Sequence, residues 1–151
     1  MKSTLIAFLI LALGACATPQ IEIPNGFARF DGDSSEYQLV TPDAVRINVY
    51  STPNQPVGTL ATLEDSVELH FKSIGYTILK KETIRTDAGL EGRLFLTSVA
   101  TLNGEYRYLV SFFPDEETIY IVEAGGRKDD FAGYQSDIIA KIKTLKVSRG
   151  L

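Results

Sequence analysis

The chain has 151 residues, 44% hydrophobic and 23% charged, with a formal charge of −4, a make-up that suits one folded domain. That mild acidity gives no basic patch for nucleic acid and no electrostatic hold on anionic lipid. Cys16 is the only cysteine and His70 the only histidine, which excludes an intrachain disulfide and most transition-metal sites.

The first element is a leader. Met1-Lys2-Ser3-Thr4 is a short polar start with one positive charge, and residues 5–13 (LIAFLILAL) are unbroken apolar chain. A bilayer-spanning helix needs roughly 20 apolar residues, so this run is too short to span and fits a secretory signal peptide over residues 1–15. Leu13-Gly14-Ala15-Cys16 resembles the bacterial lipobox at all four positions. The resemblance implies cleavage between Ala15 and Cys16, with diacylglyceryl on the Cys16 thiol and an N-acyl chain on the new terminus. Several acyl chains anchor stably where one is marginal. An ordinary secretory leader cut near Ala17 is the competing reading. It carries less weight, because the only cysteine falls where the lipobox requires it. Ala17, and no aspartate, follows Cys16; by analogy with enterobacterial sorting this implies the outer membrane, facing the periplasm.

Residues 16–26 read as the acylated cysteine and an extended tether with two prolines. One domain is expected over 27–147, with a short tail at 148–151. Strands are expected at 27–30, 37–41 and 45–51, the first ended by the turn residues Asp31-Gly32-Asp33-Ser34-Ser35. In the third, Val45, Ile47 and Val49 alternate with Arg46, Asn48 and Tyr50, so one face is buried. A helix over 63–74 follows, with Thr62 as N-cap, a stripe of Leu63, Val67, Phe71 and Ile74, and Gly75 as its stop.

Strands at 76–85, 90–101, 105–113 and 118–124 are joined by connectors too short for crossover helices, which makes them an antiparallel meander. Asn103-Gly104 is the strongest hairpin signal. Tyr106, Tyr108, Val110 and Phe112 point one way and Leu109 and Phe113 the other, so this strand is covered on both faces. Gly125-Gly126 is read as ending the sheet. A second helix over 129–145 carries the stripe Phe131, Tyr134, Ile138, Ile142 and Leu145. The fold class is therefore α+β: a twisted, mainly antiparallel sheet of about six to seven strands with two helices packed on its faces.

Three strands, a helix, a four-strand meander and a terminal helix, in that order, resemble the PsbP/DcrB-like group over nearly the whole mature chain. Thr41-Pro42-Asp43-Ala44-Val45, Gly75-Tyr76, Gly104-Glu105-Tyr106 and the 131–145 helix carry the resemblance. The group often has Asp-Gly in the early turn where this chain has Asp43-Ala44. The resemblance implies a fold and a habit of binding other proteins; it transfers no catalytic residue.

Candidate chemistry is sparse. His70 lies beside Phe71 in the first helix, with no nucleophile or orienting carboxylate near it in sequence, and reads as a boundary residue. Asp31, Asp33, Ser35 and Glu36 alternate oxygen ligands, but the glycine and the twelfth-position carboxylate of a calcium loop are missing. Asp115-Glu116-Glu117 reads as a turn and Asp129-Asp130 as the start of a helix. Tyr106, Tyr108 and Tyr120 lie on neighbouring strands and are the candidate partner or ligand surface, with core packing the competing account.

The function expected from sequence is a lipid-anchored, non-enzymatic cell-envelope protein that binds or scaffolds another envelope protein. It has no cofactor beyond the lipid on Cys16, no nucleic-acid partner and no assigned oligomeric state. The alternative is a small-molecule or lipid-binding module with an apolar cavity between sheet and helix. The third class is a hydrolytic enzyme built around His70.

Overall fold

The computed structural model describes residues 18–30 and 37–148. The leader, Cys16 and the acidic turn around Asp33 lie outside the described residues, as does the end of the tail. Nine strands and three helices are described: β1 Thr18–Gln20, β2 Ala28–Arg29, β3 Tyr37–Val40, β4 Arg46–Pro53, α1 Leu60–Ser73, β5 Thr77–Arg85, β6 Glu91–Thr101, β7 Gly104–Pro114, β8 Thr118–Arg127, α2 Lys128–Ala132, α3 Gln135–Ile142 and β9 Lys146–Ser148. Seven form one antiparallel sheet in the order β2-β3-β4-β8-β7-β6-β5, and β1 pairs with β9 in a second, two-stranded sheet. The α+β class and the meander are as the sequence predicts.

Alternation places the core on both sides of the central strands. From β7 and β8, Leu109, Phe113, Tyr120, Val122 and Ala124 face one layer with Phe131, Ile138, Ile142 and Leu145 of the C-terminal segment. Val110 and Phe112 face the other layer, with Phe71 of α1 and Phe95 of β6.

Three expectations about these elements need correction. Helix α1 begins a turn early, because the Thr59 hydroxyl accepts from the Thr62 amide at 3.2 Å and so takes the cap expected of Thr62. Gly125 and Gly126 do not end the sheet; β8 runs through them to Arg127. A Cβ at Gly126 would stand 2.9 Å from Val45 Cγ2, so glycine there admits Val45, the residue before β4, closely. The second helix is two helices, because at Gly133-Tyr134 the backbone tightens to a Tyr134 N–H bond to the Phe131 carbonyl. The Tyr134 ring meets Phe27 edge-on at 5.4 Å, and its hydroxyl donates to Asp43 at 3.0 Å.

The segment read as a tether is, from Thr18 onward, docked on the domain. Thr18, Pro19 and Gln20 pair with Ser148, Val147 and Lys146, and Ile21 is buried in the core. The Glu22 amide donates to Thr144 Oγ1 at 2.9 Å, and Lys141 pairs with the Glu22 carboxylate at 3.0 Å.

The early turn takes a left-handed backbone at Ala44 without a glycine. Ala44 has φ 63°, the left-handed conformation that glycine adopts freely. Gly75, at φ 83°, occupies the same region just past α1 and stops it as expected.

Candidate functional site

Helix α1 is pinned along one edge. Glu64 accepts from Arg93 of β6 at 2.5 Å and pairs with Lys81 of β5 at 2.9 Å; Glu68 pairs with the same Lys81 at 2.8 Å and with Lys72 at 2.6 Å. These pairs seat the helix beside the β5–β6 side of the sheet. A helix is about 10 Å across and strands are spaced about 4.8 Å, so α1 covers roughly two strands. The same face of β7, β8 and β4 is left beside it as the floor of a cleft.

This clamp is sensitive to acid. Lys72 and then Lys81 hold the Glu68 carboxyl down from the ordinary 4.5 to about 2, and Lys81 with Arg93 lowers Glu64 as well. Both values lie lower in the folded protein than in the unfolded chain. The stability they add is complete above the unfolded value and is lost as the carboxylates take up protons. Across the window from 4.5 down to about 2, the wild-type melting temperature is expected to fall faster than that of a Glu64→Gln/Glu68→Gln variant. The two curves should converge at the acid end; parallel curves would show that the pairs contribute nothing.

The cleft has a volume of about 550 Å³ and is bounded by α1 above and by β4, β7 and β8 below, within the usual range of ligand pockets. From the floor, Val110, Phe112, Ile119 and Ile121 face it; from the helix, Leu63, Val67 and Phe71 do so. Rings of Phe71, Tyr76 and Tyr108 close one end, with centroids 5.6, 5.8 and 6.1 Å apart pairwise. At that end stands a carboxylate. Glu123 accepts from the Tyr50 hydroxyl at 2.8 Å, and Tyr108 lines the cleft beside them. Burial, and then the nearby Glu123 carboxylate, push the Tyr108 phenol well above its usual range, so it keeps its proton.

Sequence candidates divide across the sheet. Tyr108 is in the cleft. Tyr106 lines a neighbouring depression of about 430 Å³ with Tyr76, Arg107 and Gly126. Tyr120 does not join them: it is 4% exposed and packs in the opposite layer. Its neighbours Ile119 and Ile121 face the cleft, so strand alternation sends Tyr120 the other way. His70 stands on the α1 side of the cleft, exposed, with its ring 6.3 Å from Phe71. Asp115 and Glu116 form the turn predicted for them, and Asp129-Asp130 open α2.

Tyr50 and Glu123 were missed. One signal was present, since Ile119, Ile121 and Glu123 share a parity and place a charge on the apolar stripe of a central strand.

No family model and no curated protein matches the sequence. By structure the chain is similar to the cyanobacterial PsbP protein (CyanoP) of Synechocystis sp. PCC 6803, with TM-score 0.62 and 12% identity, over 95% of this chain and 99% of that one. It is also similar to LpqN of Mycobacterium tuberculosis, described as involved in cell envelope biogenesis, with TM-score 0.69 and 12% identity, covering 90% and 87% of the two chains. The protein PA94 of Pseudomonas aeruginosa, of unknown function, matches with TM-score 0.55 at 12% identity, over 89% and 85%. At such identities the likeness establishes a PsbP-like α+β fold.

Proposed function

We propose that this is a lipid-anchored cell-envelope protein whose domain binds a small apolar molecule in the cleft between α1 and the sheet, without catalysing a reaction. The cleft is the observation that carries the reading. Under α2 and α3 the space is filled, with Phe131, Ile138 and Ile142 all fully buried. Under α1 about 550 Å³ is left open among apolar side chains. The cleft moves the weight from a protein partner, expected from the sequence, to a small or lipidic ligand.

The envelope address rests on the lipobox-like residues ending at Cys16. LpqN's description, of work in envelope biogenesis, is in keeping with that address.

N-phenyl-1-naphthylamine, a neutral apolar dye, tests the cleft. Saturable binding at one site is expected. Ile121→Trp should weaken it at least about tenfold, near 1.4 kcal/mol, because the indole would occupy the cleft floor. Circular dichroism should show the variant folded. Dye binding that does not saturate, or that Ile121→Trp leaves unchanged, would overturn the proposal.

A further inference from the structure

The polar end of the cleft indicates which head group its ligand carries. Glu123 lies on a central strand, paired in register with Val110 of β7 and Asn48 of β4. An isolated carboxylate is costly in such a place and needs partners. Its hydrogen-bond partner here is a phenol, Tyr50, and Tyr108 lines the same end of the cleft. Among the described residues no lysine, arginine or histidine forms an ion pair with Glu123. The contrast with Glu64, Glu68 and Glu105 is direct, since each of those is neutralised by two cations.

A carboxylate has about four acceptor positions, and the Tyr50 phenol leaves capacity for further donors. The rings beside it are Tyr50, Tyr76 and Tyr108, with Phe71 against the last two. Aromatic faces around an anion attract an organic cation through the ring quadrupoles, while the carboxylate supplies charge complementarity. An anionic head would meet an uncompensated like charge at the same end. The remaining walls, Val67, Val110, Phe112, Ile119 and Ile121, suit an alkyl or aryl body.

We propose that the cleft selects an apolar molecule with a cationic head, an alkyl or aryl ammonium taken up as a monomer, with the ammonium between Glu123 and the tyrosine rings and the apolar body over Ile119 and Ile121. This rests on the cleft being a ligand site.

The test compares three probes of equal chain length, each kept below its micelle-forming concentration: dodecyltrimethylammonium, dodecanoate and neutral 1-dodecanol. The protein is purified with Cys16→Ser, and displacement of the dye reports affinity. Dodecyltrimethylammonium should bind at least about tenfold more tightly than dodecanoate. Glu123→Gln keeps the shape and an oxygen for the Tyr50 phenol, and should cut that preference to about twofold or less while leaving 1-dodecanol unchanged.

Equal or tighter binding of dodecanoate by the wild type overturns the proposal, and does so without any variant. So does a preference that survives Glu123→Gln. In either case saturable binding of 1-dodecanol would leave the cleft reading standing, whereas failure of all three probes would remove both. Flotation of the protein with phosphatidylethanolamine vesicles, lost in Glu123→Gln, would place the ammonium on a membrane lipid and overturn uptake as a monomer.

Discussion

Replacing Phe131 by alanine is expected to lower the unfolding free energy by about 3–5 kcal/mol, the usual cost of emptying a buried phenylalanine site. Phe131 is 0% exposed and packs with Tyr120, Val122, Ile138 and Ile142 in the layer opposite the cleft. It is also the one buried residue of α2, a helix of five residues. So short a helix has no stability of its own and is held by tertiary contact. Loss of the ring therefore removes apolar burial and also releases α2 from the sheet, with α3 following it in the chain. A urea titration monitored by circular dichroism reads the effect as a lower midpoint at nearly unchanged slope. A loss below about 1 kcal/mol would contradict the packing described for this layer.

The same residue separates what was legible in the sequence from what was not. Phe131, Ile138, Ile142 and Leu145 were visible as a stripe because their spacing is helical, and all four are buried. The break at Gly133-Tyr134 was not visible, nor were the contacts of Tyr134 with Phe27 and Asp43, far away in sequence. Val45, Ile47 and Val49 announced a half-buried strand by alternation, and Asn103-Gly104 announced its hairpin through local turn chemistry. Gly125-Gly126 misled for the opposite reason: local propensity argued for a stop, and close approach of Val45 overrode it.

The docking of Thr18–Gln20 against Lys146–Ser148 joins the two ends of the described chain, a pairing that no local pattern encodes. In the cleft, Tyr108 could be named from its strand alone. Pairing it with Glu123 and Tyr50 required the register of three strands, two of them 73 residues apart at the Tyr50–Glu123 bond. Tyr120 shows the limit most directly, because being on an adjacent strand says nothing about which face a residue serves.

Changing Cys16 to alanine is expected to abolish incorporation of a palmitate analogue and to move the protein from the membrane pellet to the soluble fraction. The thiol is the nucleophile that would take the diacylglyceryl group, and alanine has none. The chain's formal charge of −4 supplies no basic patch to hold an anionic surface in its place. No described helix is long and apolar enough to cross a bilayer. The fold should not change, because Thr18, the first paired residue among those described, lies after Cys16 and pairs with Ser148 through its own backbone. Equal melting temperatures for the variant and the delipidated wild type would check this. Two residues of chain span at most about 7 Å. Acyl chains on Cys16 would thus hold the β1–β9 pair close to the lipid headgroups, and a ligand partitioned into the membrane would lie near the domain that binds it. Labelling that persists in Cys16→Ala would remove the anchor and that proximity with it, and would leave the cleft and its carboxylate to be explained in a freely diffusing protein.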